Sequence, residues 1–229
     1  MDCSARFPAI SVELMLSERL VDLIAEGFDV AVRVEEPPDS SLIARQLAPC
    51  RMVICGAPSY FESHGMPRTP ADLANHNCLT VAGNVPSFYR AWHLTAADGT
   101  ALNISPMGNL RSNSGAVLIV AAFAGHGLVY LPTYFVGEAL QSGRLVTVLD
   151  DYTAPPPLTL RALYPHNRHL SAKVRAFVDF LVARFGQEPP WDSWCRAPRE
   201  QSALPAPRRR EMTGSSTKPR RSKTRPDAP

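Results

Sequence analysis

The sequence predicts an α/β fold, and three observations carry that prediction. Short apolar stretches of strand character alternate with helical patterns over most of the 229 residues, which is how βαβ units around parallel strands read in a sequence. Residues 110–132, LRSNSGAVLIVAAFAGHGLVYLP, read as a polar loop, a helix apolar on nearly every side, a glycine turn and a short buried strand closed by proline. Residues 171–185 carry the plainest amphipathic helix: Val174, Phe177, Val178, Leu181, Val182 and Phe185 share one face, with Ser171 before it and Gly186 after it.

In order, residues 9–16 set Ile10, Val12, Leu14 and Leu16 at alternate positions, a strand pattern. Ser17 is placed to cap a helix carrying Leu20, Leu23 and Ile24 and ended by Gly27. Residues 29–34 form a second strand, Glu35-Glu36-Pro37-Pro38-Asp39 a solvated turn, and residues 42–47 and 52–57 two further extended runs. Thr69-Pro70-Ala71-Asp72 resembles a capping box with proline at the first helical position. Residues 78–82 are strand-like, 83–87 have turn chemistry, and Asp98-Gly99 marks a hairpin. Beyond residue 132 come a helix over 133–140, strands over 145–149 and 158–164, and a stiff Pro155-Pro156-Pro157 connector between those strands.

Composition narrows the function. A hydrophobic share of 45% is ordinary for a globular protein, and no apolar run reaches the roughly 20 residues of a membrane-spanning helix. The N-terminus lacks the charged-then-apolar order of a cleaved signal, so the expected location is the cytoplasm. Cys3, Cys50, Cys55, Cys78 and Cys195 form no C-x-x-C and no zinc spacing with histidine, which reads as free thiols, mostly buried. The net charge of +3 divides unevenly: residues 1–190 hold 14 basic against 17 acidic side chains, and residues 191–229 hold 10 against 4. The folded body therefore lacks the basic stripe of a DNA-binding surface. The proline-broken basic tail, with Arg208-Arg209-Arg210, is too polar to order itself.

No catalytic set, metal set or cofactor fingerprint assembles. Asn113-Ser114-Gly115 lacks the glycine that precedes the serine in a nucleophile elbow. His166 and His169 have no third ligand. Gly125-x-Gly127 follows a helix rather than a strand and is too short for a dinucleotide loop. Ser112-Asn113-Ser114 stand at the start of the apolar helix, where free N–H groups and the positive end of the dipole suit a carboxylate; simple capping by the same serines is the alternative.

That S-N-S-G start, with the following A-x-x-A-G-x-G-L-x-x-L-P, resembles the second half of the effector-binding domain of LysR-type transcriptional regulators. The likeness extends to Ser17-Glu18-Arg19-Leu20-Val21-Asp22-Leu23-Ile24-Ala25-Glu26-Gly27-Phe28-Asp29-Val30-Ala31-Val32-Arg33, to Pro38-Asp39-Ser40-Ser41-Leu42-Ile43-Ala44-Arg45, to Leu163-Tyr164-Pro165, and to residues 174–181. It covers roughly residues 6–190 in the family's order.

The resemblance implies a two-lobed, type 2 periplasmic-binding-protein-like fold. Residues 1–77 with 162–190 would form lobe I, residues 78–161 lobe II, and residues 191–229 the tail, with crossings near Cys78 and Leu160. It further implies a small-molecule effector held between the lobes by Ser17, Arg33, Ser112, Asn113 and Ser114, with Asn84 and Ser87 near the mouth. It implies a homo-oligomer, no cofactor, no enzymatic activity, and DNA contact only through a winged helix-turn-helix. Ala5-Arg6-Phe7-Pro8 resembles the end of the family's first lobe helix. The expectation is therefore a truncated chain, without that reading head and without the first strand and helix of lobe I, and so with an uncovered sheet edge. A solute-binding protein of similar fold is the alternative.

Overall fold

The computed structural model describes residues 2–17, 22–34, 41–83, 91–152, 158–166 and 171–196. Two sheets organise them. The first is antiparallel, in the order β1 (Ala31–Arg33), β10 (Leu158–Pro165), β2 (Leu42–Cys50). The second, in the order β7-β4-β8-β3-β9, contains β7 (Arg111–Ser112), β4 (Cys78–Val81), β8 (Leu128–Pro132), β3 (Met52–Gly56) and β9 (Val146–Val148). There β7, β4 and β8 run parallel, while β3 is antiparallel to both neighbours. A separate hairpin pairs β5 (Trp92–Thr95) with β6 (Ala101–Ile104), turned at Gly99 as the Asp98-Gly99 pattern predicts.

Five α-helices accompany the strands among the described residues. These are α1 (Asp2–Arg6), α2 (Pro58–His64), α3 (Gly115–Phe123), α4 (Thr133–Gln141) and α5 (Ala172–Phe185), with 3-10 turns at Pro70–Asn75 and Pro190–Arg196. The apolar α3 lies against the second sheet: fully buried Leu118 and Ala122 share a core with Leu79, Val129, Leu131, Val136 and Leu145. A separate core under the first sheet joins Leu47, Ala48, Leu160 and Ala162 to Val178 and Leu181 of α5. Each fully buried leucine contributes about 1.5–3 kcal/mol relative to an exposed one, so each sheet has its own source of cohesion.

The chain steps from the first sheet to the second at Arg51, the single residue between β2 and β3. The strand Met52–Gly56, grouped by sequence with the first lobe, is hydrogen-bonded inside the second sheet. The parallel strands expected throughout are confined to β7-β4-β8. Thr69-Pro70-Ala71-Asp72 does build a capping box, but it opens a 3-10 turn. The Asp72 carboxylate accepts the N–H groups of Arg68 (2.9 Å) and Thr69 (2.8 Å), which holds it below its ordinary pKa.

The largest departure from the sequence reading is near the N-terminus. Residues 11–17 form no strand and lie exposed, Leu14 at 75% and Leu16 at 87%. Alternation marks a strand only where a neighbour accepts its ladder bonds, and no described strand lies beside this stretch. The helix expected from Ser17 to Gly27 is not present in its described part. Residues 23–27 are a turn, begun by Asp22, whose Oδ1 accepts the N–H groups of Ile24 and Ala25 at 3.0 Å each. The expected unordered tail begins later than residue 191: Pro190–Arg196 is a 3-10 turn, with Trp191 packed on the first core and Asp192 buried. The turn at residues 35–40, the connector at 153–157, His169 and the tail from residue 197 onward lie outside the described residues.

Cys50, Cys55 and Cys78 are free and buried, and burial raises each thiol to about 12. All three should resist a thiol reagent at neutral pH in the native chain and react once it is unfolded; peptide mass mapping checks this, and rapid native labelling of Cys55 would contradict the packing. Gly127 admits the backbone of a neighbouring loop, since a Cβ there would stand 2.2 Å from the Asn77 carbonyl oxygen. Gly127→Ala should therefore lose about 1–3 kcal/mol or more in urea denaturation through overpacking; an unchanged midpoint would refute the close approach.

Candidate ligand edge at the start of the apolar helix

The strands fix where α3 begins. Thr80 stands opposite Arg111 and Val81 opposite Ser112. Beyond that ladder the Thr80 N–H donates to Leu110 O (3.1 Å) and the Ala82 N–H to Ser112 O (2.9 Å). With β8 parallel on the other side of β4, three parallel strands finish along one edge. Two of those ends lead directly into helices, β7 into α3 and β8 into α4. Arg51 reaches the same edge, because Met52 pairs opposite Pro132 and the Thr133 N–H donates to Arg51 O at 2.8 Å. The carboxyl edge of a parallel sheet, beside helix N-termini, is where open α/β sheets take small ligands.

Ser112, Asn113 and Ser114 come together here. Ser114 is the N-cap by backbone, yet its side chain makes no capping bond. The hydroxyl of Ser112 instead accepts the Ser114 N–H at 3.1 Å. The first-turn amides of α3 have no acceptor within the helix. Asn113 is exposed, and Gly83, at φ +95°, faces it closely: a Cβ at Gly83 would lie 3.6 Å from the Asn113 Cβ. Asn84 and Ser87 follow Gly83 in sequence and lie outside the described residues.

Ser17 and Arg33 belong to the other part of the chain. Ser17 ends the exposed stretch 11–17 rather than capping a described helix. Arg33 closes β1, opposite Arg161 in the first sheet, and both residues have interaction partners.

Sequence reasoning misses Asn77, which ties the start of β7 to the turn that follows α3. Its side-chain N–H groups donate to Asn109 Oδ1 (2.9 Å) and to His126 O (2.6 Å), and its Oδ1 accepts the Asn109 N–H (2.9 Å). Its carbonyl accepts the Leu128 N–H at 2.9 Å. The Asn77 N–H in turn donates to the Tyr60 hydroxyl (2.9 Å), which lies 3.2 Å from Nδ1 of buried His76. That hydroxyl accepts the Asn77 N–H and shares a second hydrogen bond with His76 Nδ1, whose direction depends on the histidine tautomer. The Tyr60 ring stacks on His64 at 4.3 Å. Burial first, and then the nearby His64, hold His76 below its ordinary pKa, against an opposing pull from Asp72.

A histidine depressed in the folded state costs nothing while both states are neutral. Stability is lost as pH falls through the unfolded value of about 6.5 toward the folded one, because only the unfolded chain takes up the proton. His76→Asn, which keeps a hydrogen-bonding side chain there but cannot titrate, should flatten the fall of Tm between about pH 7 and 5 relative to the parent. An identical slope in both proteins would rule out His76 as its source.

With two sheets, a one-residue step between them and helix N-termini at a shared edge, the chain has the architecture of an effector-binding regulatory domain with the type 2 periplasmic-binding-protein fold. The regulatory domain of CrgA, a LysR-type transcriptional regulator from Neisseria meningitidis, matches with a TM-score of 0.71 at 30% identity, covering 81% of this chain and 89% of that one. Full-length AphB, the Vibrio cholerae virulence activator, matches with a TM-score of 0.68 at 31% identity, covering 80% of this chain and 60% of that one. The family model described as the LysR substrate binding domain matches residues 2–186, and the chain belongs to that family.

In sequence it is 32% identical over 181 residues to CrgA of Neisseria meningitidis serogroup B, covering 79% of this chain and 59% of that protein. It is 33% identical over 179 residues to the activator AaeR of Escherichia coli K12, covering 78% and 57%. The chain thus spans under three-fifths of the length of these relatives, which are named as regulators rather than enzymes. No described helix is long and apolar enough to cross a membrane, and no three described His, Cys, Asp or Glu residues cluster as a metal site.

Proposed function

We propose that this chain is the effector-sensing part of a cytoplasmic, homo-oligomeric DNA-binding regulator, and that its effector is a small molecule bearing a carboxylate. The lobes in this reading follow the sheets: β1, β2 and β10 with α5 on one side, β3 to β9 with α3 and α4 on the other. The ligand sits between them at the edge where α3 and α4 begin. Transcriptional control would pass through a helix-turn-helix lying outside the matched residues, in keeping with the printed names of the relatives.

The observation that carries the reading is the start of α3. Ser114 caps by backbone alone, the Ser112 hydroxyl accepts the Ser114 N–H, and Asn113 between them is exposed. Uncommitted hydroxyl and amide donors thereby join the helix dipole at one point. Asn84 and Ser87 at the mouth, with Ser17 and Arg33 from the first lobe, complete the proposed contact set. Binding would favour one relative arrangement of the lobes, and that shift would repack the oligomer.

A panel of small carboxylates titrated against tryptophan fluorescence should yield a ligand. Asn113→Ala and Ser114→Ala should each weaken it about 5- to 30-fold, the loss of one or two hydrogen bonds to a charged group. Affinity unchanged in both variants would remove this edge from the binding site.

A further inference from the structure

Residues 190–196 lie beyond the family match at residues 2–186 and form a 3-10 turn, Pro190–Arg196. We propose that this turn is a strap that fastens α4 to the core of the first sheet, and so restrains the two sheets against one another. Helix α4 faces two ways. Val136, Ala139 and Leu140 pack into the core of the second sheet, while Tyr134 packs against the core of the first. Trp191 covers that join. Its ring lies edge-on to Tyr134 at 6.2 Å and against Phe185 of α5 at 5.2 Å, and it too packs on the first core.

The backbone of the strap explains a glycine that the helix pattern does not. Gly137 is buried in the middle of α4, where glycine is a poor helix former. A Cβ there would stand 2.1 Å from the Trp191 carbonyl oxygen. The helix therefore gives up a side chain so that the strap can lie directly on it. The second attachment is at the junction itself: Asp192 Oδ2 lies 3.9 Å from Arg51 Nε, and Arg51 is the residue at which the chain changes sheets. The Arg51 guanidinium is largely exposed, so this pair guides the strap more than it holds it.

The seat is also the less well satisfied part of the interior. Thr133 Oγ1, Trp191 Nε1 and Asp192 Oδ1 are buried without a protein hydrogen-bond partner among the described residues. Releasing the strap hydrates all three, which lowers the cost of release relative to an apolar seat of the same area. The structure therefore holds a joint between the sheets that is closed by ring packing and one close backbone contact, and that is among the first to open. The strap restrains the sheets without any ligand. On the sensor reading above, it also sets how much binding must do to change the arrangement of the lobes.

Hydrogen exchange with mass spectrometry on the full chain, without effector, tests it. In Gly137→Ala and in Trp191→Ala, amides of residues 187–196 and 133–137 should exchange about tenfold faster or more, while those of 128–131 keep their protection. The double variant should exchange no faster than the faster single one, since both changes break the same contact. Strap exchange unchanged in either variant would overturn the proposal, as would acceleration spread equally through β3 and β8. Because no effector is present, a failed carboxylate titration leaves this result standing, and the reverse holds too.

Discussion

The packing of α3 on β4 and β8 is the constraint on which the rest depends. A nine-residue helix, GAVLIVAAF, with Leu118 and Ala122 wholly buried, has one stable position over the parallel strands. Because β7 delivers the chain into it, its N-terminus is held at the carboxyl edge of the sheet. At the opposite edge Asn77 fixes the start of β7 through Asn109 and the turn after the helix through His126. The polar residues at the start of α3 are presented to solvent by this scaffold rather than by any property of their own.

The Thr133 N–H donates to Arg51 O at the point where β2 gives way to β3. The second parallel strand to feed a helix therefore ends beside the step between sheets, where α4 begins. Family membership accounts for the fold; that the proposed binding edge lies beside the step at Arg51 follows from these hydrogen bonds.

Much of this was legible in the sequence, for identifiable reasons. The strands at Cys78–Val81, Leu128–Pro132 and Leu158–Pro165, and the helices at Gly115–Phe123 and Ala172–Phe185, carry their own burial pattern and end signals. Ser112 to Ser114 were legible as a helix start because polar residues directly precede an apolar run. Residues 11–17 misled because alternation reports capacity for pairing and not the presence of a partner. The step at Arg51 was hidden because β2 and β3 read as ordinary consecutive extended runs, and no residue type marks a change of sheet. Asn77 gave no periodic signal; only Gly108 and Gly127, each kept small by the Asn77–Cys78 backbone, hint at a close neighbour.

The most direct test of the central claim is amide-resolved NMR of the chain titrated with a panel of small carboxylates. The account expects the backbone amides of residues 113–117 to shift in a saturable way, with those of α5 far less affected. Saturable shifts confined to α5 or the hairpin, or no saturable shift at residues 113–117 with any carboxylate that binds, would show that the start of α3 is a capped helix end and nothing more.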